Sequence, residues 1–124
     1  MRSHETTIEH EQTRQDLQYL ATLVAFSEDA VIGKTLNGTI EYWNKAAERM
    51  YGYTAEEVIG KSVAIIIPPD RLEEFHGFLN KLQQGEHISQ FETVRVRKDG
   101  TLIDVSLSIA PILDRAGNPI YAST

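Results

Sequence analysis

Hydrophobic and polar positions divide the chain into a polar lead-in and a patterned body. Residues 1–16 carry only Met1 and Ile8 as large apolar residues, and Leu17, Tyr19, Leu20, Leu23, Val24 and Phe26 follow in close succession. Leu17, Leu20 and Val24 have the three-four spacing of one helix face. Thr6 and Glu9 have capping-box spacing, so a helix is expected over residues 8–26, polar in its first half. Its apolar content exceeds one narrow stripe. Leu17, Leu20 and Val24 suffice to cover a sheet, which leaves Tyr19, Leu23 and Phe26 to the side. Exposed apolar side chains of that kind mark association sites. The pattern therefore predicts a helix that docks on the body and also pairs with the same helix of a second copy.

The body opens with two β-rich runs, 30–35 and 39–43, around Leu36-Asn37-Gly38. Asn-Gly is a hairpin signal, because both residues tolerate positive φ. Asn44 is placed to cap a helix from Lys45 to about Tyr51, with Gly52 at its stop. Thr54 and Glu57 form a second capping box, whose helical turn ends at Gly60. Ile65-Ile66-Ile67 is a buried run closed by Pro68-Pro69, and Asp70 starts a longer helix. Leu72, Phe75, Leu79 and Leu82 form its apolar stripe, and Gly85 ends it.

The last third has the period of strands. In the run 87–97, Phe91 is odd while Val94 and Val96 are even, which predicts a bulge or a two-sided apolar strand. Lys98-Asp99-Gly100 is a turn. From 101 to 112 the alternation is clean: Ile103, Val105, Leu107 and Ile109 on one face, Asp104, Ser106 and Ser108 on the other. A turn over 114–118 leads to a final strand over 119–124. Two strands, then short helices, then three strands describe an α+β domain. The expected architecture is a five-stranded antiparallel sheet with short helices on one face, made by residues 27–124, behind a flanking helix in residues 1–26.

Composition narrows the chemistry. The 124 residues suffice for one domain. The chain has no cysteine, which excludes disulfides, thiolate metal sites and cysteine nucleophiles, and suits a cytoplasmic setting. Twelve basic against eighteen acidic residues give a net charge of −6, which argues against a nucleic-acid partner. No apolar run approaches the roughly 20 residues that span a bilayer, so no membrane insertion is expected. His4, His10, His76 and His87 lack metal-site spacing. Glu56 and Glu57 are adjacent, so on a helix they diverge by about 100° and do not form a catalytic carboxylate pair. No enzyme is read here.

The segment from Trp43 to Tyr53 (WNKAAERMYGY), its continuation Thr54 to Lys61, and the turn Lys98-Asp99-Gly100-Thr101 with its following strand resemble the PAS and PAC motifs of sensory domains. The resemblance runs over roughly residues 20–124, in the family's order. It implies a sensing or dimerising role ahead of an effector in cis, a histidine kinase or a diguanylate cyclase, in a bacterial or archaeal sensor protein. The family's pattern continues into a signalling helix beyond Thr124, so the chain reads as a fragment whose effector lies elsewhere.

The resemblance also implies a pocket between helices and sheet, for an unknown small molecule or none. Candidate lining residues are Ile32, Phe75, Leu79, Ile103, Val105 and Leu107; the competing reading is a filled core in a ligand-free association module. A cysteinyl-adduct flavin is excluded, since no cysteine exists. Haem-type relatives carry a ligand histidine on the long helix, but aligning helix ends places Phe75, not His76, at that position, so haem is not expected. In the family, a glutamate matching Glu57 pairs with a lysine matching Lys98. The expected dimer interface is Leu17, Tyr19, Leu20, Leu23, Val24 and Phe26.

Overall fold

The computed structural model describes the backbone of residues 2–117 and 119–123 and the side chains of residues 11–117. In chain order it has α1 (Arg2–Ala25), β1 (Ile32–Thr35), β2 (Ile40–Trp43), α2 (Lys45–Tyr51), α3 (Ala55–Val58), two 3-10 turns (Val63–Ile66 and Pro69–Arg71), α4 (Leu72–Gln83), β3 (Ile88–Val96), β4 (Leu102–Leu113) and β5 (Pro119–Ser123). The strands form one antiparallel sheet in the order β2-β1-β5-β4-β3. The α+β class is that expected from the pattern. The Thr6–Glu9 capping box and the side chains of His4 and His10 lie outside the described residues.

Local sequence accounts for the short elements. Asn44 caps α2 by accepting from the Ala47 N–H at 2.9 Å, and Gly52, at φ 82°, ends it. Thr54 and Glu57 form a complete capping box at α3. The β1–β2 connection differs from the expected two-residue turn. Gly38 has φ 91°, whereas Asn37 does not have positive φ. The Thr35 N–H donates to Thr39 O and the Gly38 N–H to Thr35 O, each at 2.9 Å. A three-residue loop with its glycine in the left-handed region makes that pattern. Asn37 instead serves through its side chain, accepting from the Thr39 hydroxyl at 3.3 Å.

One face of the sheet carries the core. Ile32, Ile40, Trp43, Tyr51, Val58, Ile66 and Phe75 pack in one cluster, and Phe78, Leu82, Ile88, Leu107 and Ile109 in a second. On α4 the buried residues are Phe75, Phe78 and Leu82, with Leu79 half-buried, while Leu72 is exposed. The expected stripe was one turn too long because Leu72 is the joint between the 3-10 turn and the helix, before the first full α-turn faces the sheet. The phase shift in β3 is a bulge: Ile88 pairs with Ile109 but Phe91 with Leu107, and Gln90 takes φ 49°. Beyond it Thr93 and Arg95 turn inward and Val94 and Val96 outward.

The N-terminal helix departs furthest from expectation. It starts at Arg2, not residue 8, since no glycine or proline interrupts residues 2–7. It does not lie on the sheet: residues 11–23 are exposed along their length, and only Val24 and Ala25 are half-buried. The Asn44 Nδ2 donates to Val24 O and to Asp29 O, both at 3.0 Å, and so fixes where the helix ends.

The Gly38 turn is also a packing point. A Cβ at Gly38 would stand 2.7 Å from Phe75 Cζ, at a φ that disfavours any side chain. Gly85, at φ +81°, has nothing within 4 Å of its own Cβ position. Gly38→Ala is therefore expected to cost more than Gly85→Ala, which carries only the roughly 1–2 kcal/mol of left-handed strain. Thermal melts of the two variants check this; equal losses would remove the Phe75 contact from the account.

Candidate functional site

Period two along β1 and β3 delivers charged side chains to the interior. Ile32 faces inward, so Lys34 does too; past the bulge, Thr93 and Arg95 share the inner face of β3. Lys34 and Arg95 are only 5% and 4% exposed. Opposite them α4 presents Glu74. Arg95 Nη2 stands 3.1 Å from Glu74 Oε1, and the Thr93 hydroxyl donates to Glu74 Oε2 at 2.8 Å. Arg95 Nη1 also donates to Val94 O at 2.9 Å. Arg71, half-exposed, approaches Glu74 Oε2 at 3.7 Å. The Arg95–Glu74 contact is an ion pair without hydrogen-bond alignment, for Glu74 Oε1 accepts no hydrogen bond.

This cluster borders a small cavity of about 30 Å³. Its walls are Ile32, Lys34, Tyr51, Val63, Ile66, Ile67, Phe75, Phe78, Leu79, Leu82, Arg95, Leu107 and Ile109. Burial lowers the Lys34 ammonium to a pKa of about 8, and the neighbouring Arg95 charge adds to that effect. Burial raises the Tyr51 phenol, partly opposed by the same arginine. A volume this size takes a few water-sized groups and is far below the roughly 300 Å³ or more of a cofactor pocket.

Of the six residues read from sequence, Ile32, Phe75, Leu79 and Leu107 line the cavity. Ile103 and Val105 are half-buried and pack against the first and second core clusters instead. His76 is exposed, with its ring 5.7 Å from that of Phe75, so it does not reach the cavity. Among the described residues no group of three His, Asp or Glu could hold a metal ion. Lys34, Tyr51, Glu74, Thr93 and Arg95 were not foreseen. The two-residue offset of Lys34 from Ile32 places both on one strand face, but an apolar alternation does not include a lysine.

Away from the cavity, Lys98 pairs with Glu57 and lies 5.8 Å over the Tyr53 ring. The Lys98 N–H donates to Tyr51 O at 2.9 Å, and Arg97 Nε donates to Met50 O at 3.1 Å. The β3–β4 turn thus supplies donors to the last carbonyls of α2, which a helix leaves unsatisfied. Lys98 first, then the Thr54 N–H, lower the Glu57 carboxyl to about 2. Of the expected interface residues, Leu17, Tyr19, Leu20, Leu23 and Phe26 are exposed and Val24 is half-buried. No described helix is long and apolar enough to cross a membrane.

Known proteins are similar to this chain in sequence and fold. The sequence profile of the PAS fold matches residues 18–123. The C4-dicarboxylate transport sensor protein DctS of Rhodobacter capsulatus is 35% identical over 98 residues, which cover 75% of this chain and 15% of DctS. The sensor protein FixL of Bradyrhizobium diazoefficiens is 29% identical over 108 residues, covering 83% of this chain and 21% of FixL. The chain therefore spans less than a quarter of either relative. A crystal structure of the PAS domain of a protein from Colwellia psychrerythraea superposes with a TM-score of 0.79 at 27% identity, covering 86% of this chain and 91% of that one.

The Glu57–Lys98 pair carries a pH signature. A carboxyl depressed in the folded state stabilises above its unfolded pKa, and that contribution is lost as pH falls through the folded value of about 2. Wild type is thus expected to melt above Glu57→Gln at neutral pH, with the gap closing between the ordinary glutamate pKa and about 2. Thermal melts across that range check it; a gap independent of pH would assign the effect to the capping box alone.

Proposed function

The chain belongs to the PAS family, and from that premise we propose that it is the sensory and dimerising module of a larger cytoplasmic signalling protein. The domain itself is sensory, not catalytic. Its relatives are sensor proteins of which it matches a minor part, which supports an effector in cis, of the histidine kinase or diguanylate cyclase class. The observation that carries the reading is α1. Leu17, Tyr19, Leu20, Leu23 and Phe26 are all more than half exposed in a single chain. Two-fold pairing of the same helix buries them without new surface. Its last turn is hydrogen-bonded to Asn44, so a change in the domain has a direct route to the paired helices.

The second reading is a ligand-free association module. The small cavity favours it, because most of the space between α4 and the sheet is filled by side chains.

Native mass spectrometry and light scattering separate these. The intact chain is expected to be a dimer at micromolar concentration and a chain starting at Ser27 a monomer. Leu20→Glu with Leu23→Glu is expected to weaken the dimer by about tenfold or more, since each buries a charge against an apolar partner. A monomeric mass for the intact chain would overturn the pairing. A dimeric truncated chain would move the interface to the sheet. A small molecule retained in the native spectrum supports the sensory reading over the association module.

A further inference from the structure

We propose that Asn37 is a site of spontaneous deamidation, and that the packing of Gly38 against Phe75, a wall of the cavity, sets its rate. The site needs neither a ligand nor a partner, so it stands apart from the sensory and dimerising reading. The asparagines of the chain precede Gly38, Lys45, Lys81 and Pro119. Deamidation joins the asparagine Cγ to the next backbone nitrogen, and a glycine there has no Cβ to obstruct the approach. Proline has no N–H to lose. Asn44 is buried, with Oδ1 and Nδ2 each bonded twice. Asn37 is exposed, and its Nδ2, the leaving group, has no hydrogen bond among the described residues.

The step needs only water. The Gly38 nitrogen loses its proton to solvent base and attacks Asn37 Cγ. The Nδ2 group takes up a proton and departs as ammonia, which leaves a five-membered succinimide. Water then opens either carbonyl of the ring and gives aspartate or isoaspartate. The Thr35 and Thr39 hydroxyls donate to Asn37 Oδ1, the oxygen that becomes negative during the attack. Opposition comes from Gly38. Its N–H, the proton to be lost, donates to Thr35 O at 2.9 Å, and its carbonyl accepts from the Val63 N–H at 2.8 Å. Phe75 Cζ lies 2.7 Å from the place that a Cβ at Gly38 would take, so the ring covers the glycine. Two neutral hydrogen bonds of this kind hold a segment closed by a factor of about 30. In the closed loop the reacting nitrogen is bonded; when Phe75 moves aside and the loop opens, it reacts as in a free Asn-Gly pair.

The test incubates the intact wild-type chain at neutral pH, folded and in guanidinium chloride, and digests samples with trypsin. Cleavage after Lys34 and Lys45 puts Asn37 and Asn44 on one peptide, where fragment masses tell them apart. A mass gain of one deamidation is expected at Asn37 in the folded chain, and not at Asn44 or at Asn80, which is exposed on α4. The folded chain is expected to react about tenfold or more slowly than the denatured one. Native hydrogen exchange at the Gly38 amide is expected to be slowed by a similar factor, because both reactions remove the same proton. Phe75→Leu uncovers Gly38 and is expected to speed the reaction at Asn37 by about fivefold or more. The wild-type comparison stands by itself should Phe75→Leu fail to fold. No gain at Asn37 above Asn80 in the folded chain would overturn the proposal. So would equal rates in the folded and denatured chains, or a folded Phe75→Leu that deamidates at the wild-type rate.

Discussion

The fold depends on one buried amide. Asn44 is 3% exposed, and each of its side-chain positions is used. Its Oδ1 accepts from the Val31 and Ala47 N–H groups, both at 2.9 Å, while its Nδ2 donates to Val24 O and Asp29 O. The end of α1, the connection to β1, the start of β1 and the start of α2 therefore meet at one side chain. A buried donor or acceptor left without its partner costs about 1–3 kcal/mol, so none of these segments can shift alone. Fixing Val31 fixes the phase of β1. With that phase, Ile32 and Lys34 face the interior and Gly33 faces outward.

A second constraint closes the far end of α2. The turn between β3 and β4 reaches back to hold Met50 O and Tyr51 O, and Lys98 adds its charge to Glu57. A Cβ at Gly52 would meet Lys98 Cβ at an ordinary 3.5 Å, so what the position demands of its residue is the φ of 82° and not space. Tyr51 belongs to both systems. Its carbonyl receives the turn and its ring borders the cavity. The charged interior and the surface clamp are thus joined through one residue of a seven-residue helix.

Much of this was legible because it is local. The caps at Asn44 and Thr54 need only residues three positions apart, and β4 alternates without interruption. The family resemblance rested on those same segments. What escaped was non-local or polar. Nothing within Leu17–Phe26 says that Asn44 will bond the last turn of the helix, or that the helix will stand clear of the sheet. Arg95 and Thr93 lie on the inner face only because Gln90 shifts the register, and a search for apolar parity takes Val94 and Val96 as the inner pair. Lys34 is inward by strand parity, yet lysine is almost never fully buried, so its type gives no sign of that position. Leu79 and Phe75 were found because a helix stripe survives an error of one turn.

The bulge at Gln90 has a consequence for how copies of this chain meet. β3 is an open border of the sheet, and a straight border strand is a template on which another chain can polymerise. The left-handed kink at Gln90 breaks its row of amides and carbonyls after Ile88. The opposite border, β2, is sealed differently: Ile40 exchanges hydrogen bonds of 2.8 Å with Lys61 O and the Gly60 N–H. Growth by strand addition is blocked on one side and interrupted on the other. Neither border of the sheet therefore offers an uninterrupted strand on which copies could add without limit.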